Sequence, residues 1–165
     1  MNKGKVWKYG DNINTDVIFP GKYTYSVLEA EEMAQHALED IDPDFSKKVK
    51  PGDVIVAGRN FGCGSSREQA ASCLKYAGIK AVIACSFARI FFRNAVNQGL
   101  PVIQSEEAVK ALETGDRIDI DFKQGTIKTS KGLFHFAPLP EFVLGLLNEG
   151  GLIPYTKKKV QKSSR

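Results

Sequence analysis

Long apolar runs are missing from this chain, and nothing in it approaches the ~18 consecutive apolar residues that a membrane helix needs. The opening stretch from Met1 to Lys8 also lacks the apolar centre of a signal peptide, so the sequence addresses itself to no membrane and reads as a cytoplasmic globule. Cysteine and histidine are scarce. Cys63, Cys73 and Cys85 are an odd number with no Cys-x-x-Cys pair, and only His36 and His135 are available to join them. That arithmetic argues against a disulfide scaffold and against a zinc or iron–sulfur site built from this chain alone. A strong excess of one charge is missing too. The formal net charge is +4, but Lys157, Lys158, Lys159, Lys162 and Arg165 crowd the last eleven residues without an acid. Residues 1–154 are left with a balance of −1, so no basic surface for nucleic acid is expected there.

What is present is an ordinary soluble composition, 42% apolar and 25% charged over 165 residues. Such a chain buries roughly two-thirds of its unfolded surface, which is enough for one domain with a real core. The expected organisation is a single domain over residues 1–154 followed by a solvated, frayed basic tail over 155–165.

Along the chain, residues 4–9 read as a strand followed by a long polar loop. Residues 29–38 carry helix formers, with Met33 and Ala37 on one face. From Asp53 the pattern becomes strand, glycine-rich loop and helix (53–57, 58–66, 67–76), then strand and helix (81–85, 87–98), then strand and helix (101–103, 105–112). This alternation implies right-handed crossovers and a small parallel sheet. The period then changes to strict alternation. Residues 117–122, 126–130 and 133–136 read as an antiparallel meander, and 141–147 as a last helix.

The glycine-rich loop Gly58-Arg59-Asn60-Phe61-Gly62-Cys63-Gly64-Ser65-Ser66 concentrates the chemistry. Ser65 and Ser66 each have a capping partner three residues on, Glu68 and Gln69, which predicts that the helix opens at the serines. Free N–H groups at a helix start, glycines that admit a ligand to the backbone, and the guanidinium fork of Arg67 together suit an anion. The competing reading is a plain helix cap, but three glycines, two serines and an arginine in one loop favour a ligand site. The spacing matches neither the phosphate loop nor the dinucleotide fingerprint. Gly62-Cys63-Gly64 faintly suggests a nucleophile elbow, yet no local base accompanies Cys63, which reads as a small loop residue.

The segment from Gly58 to Glu68, with Asn14-Thr15-Asp16 upstream and Ser86-Phe87-Ala88-Arg89-Ile90-Phe91-Phe92-Arg93-Asn94 downstream, resembles the small subunits of 3-isopropylmalate dehydratases. Through its Gly-Ser-Ser-Arg-Glu core it also resembles the mobile C-terminal domain of aconitase. The likeness covers nearly the whole chain. It implies an α/β fold, the swivelling β/β/α domain, with a small parallel βαβ unit packed beside antiparallel strands. It implies a hydro-lyase subunit of leucine biosynthesis that helps interconvert 2- and 3-isopropylmalate by dehydration and rehydration. A [4Fe-4S] cluster would belong to a large partner subunit, in a heterodimer or heterotetramer, and the small chain alone would be inactive.

The resemblance also assigns roles. Ser65 falls where the family places an alkoxide base, while Ser66 and Arg67 fall where it binds substrate. Asp16 is either a bridge to the partner's half of the site or the organiser of an Asx turn. The loop with Thr24, Tyr25 and Ser26 lies where relatives set specificity. Relatives that handle a third carboxylate place an arginine where this chain has Tyr25, and a phenol packs an alkyl group but cannot neutralise a buried carboxylate. Lys22 is a nearby cation with a flexible stem that offers the opposite reading. Arg89 and Arg93, four apart on one helix face, read as structural ion pairs or partner contacts. His36 and His135 read as non-catalytic. The alternatives are a homoaconitase-like or a dimethylmalate or methylmalate dehydratase subunit, or a non-catalytic anion-binding module.

Overall fold

The computed structural model describes residues 3–26 and 28–163. Its strands are β1 (Gly4–Lys8), β2 (Val54–Ala57), β3 (Ala81–Ala84), β4 (Val102–Gln104), β5 (Arg117–Asp121), β6 (Thr126–Thr129) and β7 (Gly132–His135). The helices are α1 (Thr15–Ile18), α2 (Ala30–Gln35), α3 (Phe45–Lys48), α4 (Glu68–Tyr76), α5 (Arg89–Gln98), α6 (Glu106–Ala111), α7 (Glu141–Asn148) and α8 (Leu152–Ser163). A 3₁₀ turn, Gly21–Tyr23, separates α1 from α2.

The strands form one sheet of seven in the order β4-β3-β2-β1-β5-β6-β7. The β1 to β4 half is parallel, and β1 pairs antiparallel with β5 at the seam to the meander. This is the mixed α/β architecture that the alternation of strands and helices predicts. Strands β2 and β3 are buried along their whole length, as parallel strands covered on both faces must be. Successive residues supply opposite cores: Ile55, Ala57, Val82 and Ala84 pack with Ala70, Leu74 and Phe91 on one side. Val54, Val56, Ala81 and Ile83 pack with Ala108, Val109 and Ile118 on the other. Buried Asp53 ties the sheet's middle together by accepting hydrogen bonds from the N–H groups of Lys5 (2.9 Å) and Lys50 (3.0 Å) and from Trp7 Nε1 (3.0 Å).

Three differences from the sequence expectation matter. The polar stretch after β1 contains the short helix α1, which Asn14 caps by accepting from the Val17 N–H at 2.9 Å. Helix α2 ends at Gln35, three residues short of the expected end at Leu38, which adopts φ 58° and turns the chain, and the short α3 follows. The basic run expected as a frayed tail is helical through Ser163, with Tyr155 against Phe142 of α7 (ring centroids 5.6 Å apart) and Lys158 paired with Glu149. No helix among the described residues is long and apolar enough to cross a membrane.

The glycine loop is seated on α5. Gly62 has φ 78°, and a Cβ there would lie 2.1 Å from Cγ of Phe91, a side chain only 1% exposed. Gly62→Ala combines a left-handed alanine with overpacking and should cost about 2–4 kcal/mol. Urea unfolding should show a lower midpoint at an unchanged slope; an unaltered midpoint would mean that the loop does not rest on Phe91.

Candidate active site

Three segments meet beyond the carboxyl ends of β1, β2 and β3, the end at which open parallel sheets bind ligands. Backbone pairing holds them together. The Thr15 N–H donates to the Cys63 carbonyl (2.8 Å) and the Gly62 N–H to the Ile13 carbonyl (2.7 Å). On the other flank, the Phe61 N–H donates to Ser86 (3.0 Å) and the Ala88 N–H to Phe61 (2.9 Å). The loop therefore behaves as a short central strand between the other two segments, which is why a run of glycines and polar residues can hold a defined shape.

Ser65 and Ser66 are exposed at the crest of this loop. Their position differs from the sequence expectation: neither serine caps α4, whose N-cap is Arg67 with extended backbone (φ −128°, ψ 114°) and which opens at Glu68. The cause is competition from the neighbouring loop. The Thr15 hydroxyl donates to the Ser65 carbonyl at 2.9 Å, and the Arg67 guanidinium reaches Asp16, contacts that keep residues 65–67 out of the helix. Both serine hydroxyls and the N–H groups of Gly64, Ser65, Ser66 and Arg67 are left without a hydrogen-bond partner among the described residues. With Gly64 at φ 93°, this row of free donors is an anion cradle in its own right, independent of the helix dipole.

Arg67 is the buried charge of the site, its side chain 17% exposed. Its Nη1 lies 2.5 Å from Asp16 Oδ1, an ion pair without hydrogen-bond alignment, and no aligned acceptor among the described residues meets that nitrogen. A guanidinium held by a single carboxylate keeps its remaining donors for an incoming anion. Gly21 makes room for the pair: a Cβ there would sit 3.1 Å from Asp16 Oδ1 and 3.3 Å from Arg67 Nη1. The 3₁₀ turn thus lies against Arg67 and carries Thr24, Tyr25 and Ser26 to the same place. Gln69 Nε2 approaches the Thr24 carbonyl at 3.5 Å, and Thr24 Oγ1 is buried without a partner among the described residues. Tyr25 is 98% exposed.

Asp16 is the partner of Arg67, and the Asx cap belongs to Asn14. Arg89 and Arg93 make no ion pair among the described residues, so the expectation of structural pairs within the chain is corrected. They are exposed instead and line an open cavity of about 550 Å³ together with Gly62, Gly64, Ala88 and Ile90. Cys63 is half-buried in the loop, while burial pushes the Cys73 thiol up, so its reactive thiolate is suppressed. His36 stacks on Tyr23 at 3.8 Å and binds Glu39, and His135 is exposed on β7. Among the described residues no three His, Cys, Asp or Glu side chains gather as metal ligands, so these residues do not fit an iron–sulfur cluster. Sequence reasoning missed Thr15, Gly21 and Gln69. Thr15 stood inside a noted segment, but nothing local says that its hydroxyl bonds a carbonyl fifty residues away.

The family model of the aconitase C-terminal domain matches residues 10–108. The 3-isopropylmalate dehydratase small subunit 1 of Thermotoga maritima is 51% identical over 160 residues, 96% of each chain. The isopropylmalate/citramalate isomerase small subunit of Methanocaldococcus jannaschii is 50% identical over 163 residues, 98% of this chain and 96% of that one. The crystal structure of a 3-isopropylmalate dehydratase from the same archaeon superposes with a TM-score of 0.91 at 45% identity, covering 98% of this chain and 96% of that one. The chain belongs to the aconitase C-terminal domain family, among the small subunits of 3-isopropylmalate dehydratases.

Proposed function

We propose that this chain, as the names of its relatives suggest, is the small subunit of a hydro-lyase that interconverts 2- and 3-isopropylmalate in leucine biosynthesis, and that it works in the cytoplasm. The observation that carries the reading is the largely buried Arg67, held by Asp16, beside the exposed Ser65 hydroxyl and a row of N–H groups unpaired among the described residues. A dicarboxylate fits this combination. Arg67 and the Ser66 hydroxyl take one carboxylate, with Asp16 fixing the guanidinium rather than meeting substrate. Thr24, Tyr25 and Ser26 face the alkyl group. Ser65 Oγ, as an alkoxide, takes the proton from the carbon next to the one bearing the hydroxyl. A serine hydroxyl is a poor base near neutral pH, so the free loop N–H groups and Arg67 must hold its anion in a site closed from water.

Closure requires a second subunit, since Ser65 and Tyr25 stand open in this chain alone. The larger partner implied by the relatives' names would cover the loop and meet Arg89, as one half of a heterodimer or heterotetramer. A [4Fe-4S] cluster belongs on that partner, where it would supply the Lewis acid for the departing hydroxyl. Methylmalate-type substrates are the rival reading, and the citramalate in the archaeal relative's name favours keeping that substrate in the assay.

Anaerobic co-expression with the large subunit should give a stable heteromer that forms the unsaturated acid from isopropylmalate, whereas this chain alone should form none. A heteromer without turnover, or turnover by the single chain, would overturn the reading. In the heteromer, Ser65→Ala should lose about 10²–10⁴-fold in kcat, or roughly 3–5 kcal/mol, with KM little changed. Near-normal turnover with alanine would refute the base role. Arg67→Lys should lower kcat/KM about 10–100-fold, because a point charge replaces the fork that holds both carboxylate and Asp16. Unchanged constants in that variant would remove Arg67 from the substrate site.

A further inference from the structure

The turn that delivers Thr24 to the site starts with a cation. Lys22 follows Gly21, whose α-carbon lies against the Arg67–Asp16 pair, so its four-carbon stem is long enough to bring an ammonium to the substrate seat. Its Nζ is instead held by Glu39, 2.7 Å from Oε1, and lies 4.9 Å from the centre of the Tyr23 ring. Glu39 is built for this task. Its Oε1 also accepts from the Tyr23 hydroxyl (3.2 Å), and its Oε2 lies 2.6 Å from His36 Nδ1. The imidazole stacks on the Tyr23 ring at 3.8 Å, so the carboxylate, the ring and the imidazole brace one another.

The backbone aims Glu39 at the turn. Leu38, fully buried, adopts φ 58°, a conformation that few leucines take, and its N–H donates to the Ile18 carbonyl at 2.9 Å. The acid is therefore fixed to the end of α1, and its side chain is only 22% exposed against 60% for Lys22. Burial pushes the Glu39 carboxyl up, but hydrogen bonds from Lys22, His36 and Tyr23 outweigh it and hold the group below the usual carboxylate range. Hydrogen bonding to Glu39 correspondingly raises Lys22. Both groups stay charged around neutral pH.

We propose that Glu39 is a positioning residue for substrate selectivity: it keeps the Lys22 ammonium away from the seat beside Arg67, so that a substrate with an alkyl group finds no cation there and one with a third carboxylate finds no partner. The inference rests on the isopropylmalate reading above. Removing Glu39 leaves Lys22 with only the face of Tyr23 among the described residues, and a third carboxylate becomes the best available partner for the ammonium.

The experiment compares kcat/KM for isopropylmalate and for homocitrate, a hydroxy tricarboxylate, in the assembled heteromer carrying wild-type, Glu39→Gln, Lys22→Met or both substitutions. Glu39→Gln should move the ratio toward the tricarboxylate about threefold to tenfold, the scale of one partly screened ion pair. Adding Lys22→Met should return it to the wild-type value. A purely structural Glu39 would depress both substrates alike, and removing Lys22 would restore nothing. A ratio unmoved by Glu39→Gln, or a shift that survives in the double variant, overturns the inference while leaving the isopropylmalate reading intact. A wild-type heteromer that does not turn over isopropylmalate overturns both.

Discussion

Everything in the site depends on the pairing of two loops that the sequence keeps about fifty residues apart. The segment after β1 and the glycine loop after β2 exchange backbone hydrogen bonds at Thr15–Cys63 and Gly62–Ile13, and the Thr15 hydroxyl then seizes the carbonyl of Ser65. With that last bond, Ser65 to Arg67 stay outside the helix and α4 opens only at Glu68. Had the serines capped the helix, their hydroxyls would be spent on its N–H groups. Held outside it, they are free, and so are the N–H groups around them. The same stitching brings Asp16 to Arg67, so one set of contacts sets both the shape of the loop and the orientation of the buried cation.

The electrostatics of this end of the sheet amount to an allocation of cations. Arg67 is shared with a single, half-exposed carboxylate, so much of its charge remains for an incoming anion. Lys22 is fully engaged by Glu39 and Tyr23. Arg89 and Arg93 line the open cavity and make no ion pair among the described residues. The net positive charge of the chain has nothing to do with this arrangement, because it comes from α8, where Lys158 pairs locally with Glu149.

Much of the fold was legible because its periods are strong. The switch from buried runs at 54–57 and 81–84 to alternation at 117–121 marks the seam between the parallel and antiparallel halves, and β1 joins them. The short helices α1 and α3 were not legible: four residues carry too little periodicity, and α1 depends on the Asn14 cap. At the site, Ser65, Ser66 and Arg67 could be named from residue type and spacing. The local capping signal at the serines nonetheless misled, because a tertiary hydrogen bond from Thr15 won over it. Gly21 and Glu39 were invisible, and Gln69 was read only as a helix-cap partner, for a related reason. Each matters through a partner distant in sequence, and a glycine chosen for the space it leaves has no signature of its own.

The central claim is that the Ser65 oxygen, propped outside the helix, faces the reacting carbon while Arg67 grips a carboxylate of the same molecule. A crystal structure of the assembled enzyme with a bound hydroxy acid tests it most directly. The account requires Ser65 Oγ within about 3–3.5 Å of the carbon that loses its proton, with the Arg67 fork on a carboxylate. A Ser65 hydroxyl turned to solvent, with the substrate held elsewhere on the sheet, would contradict it.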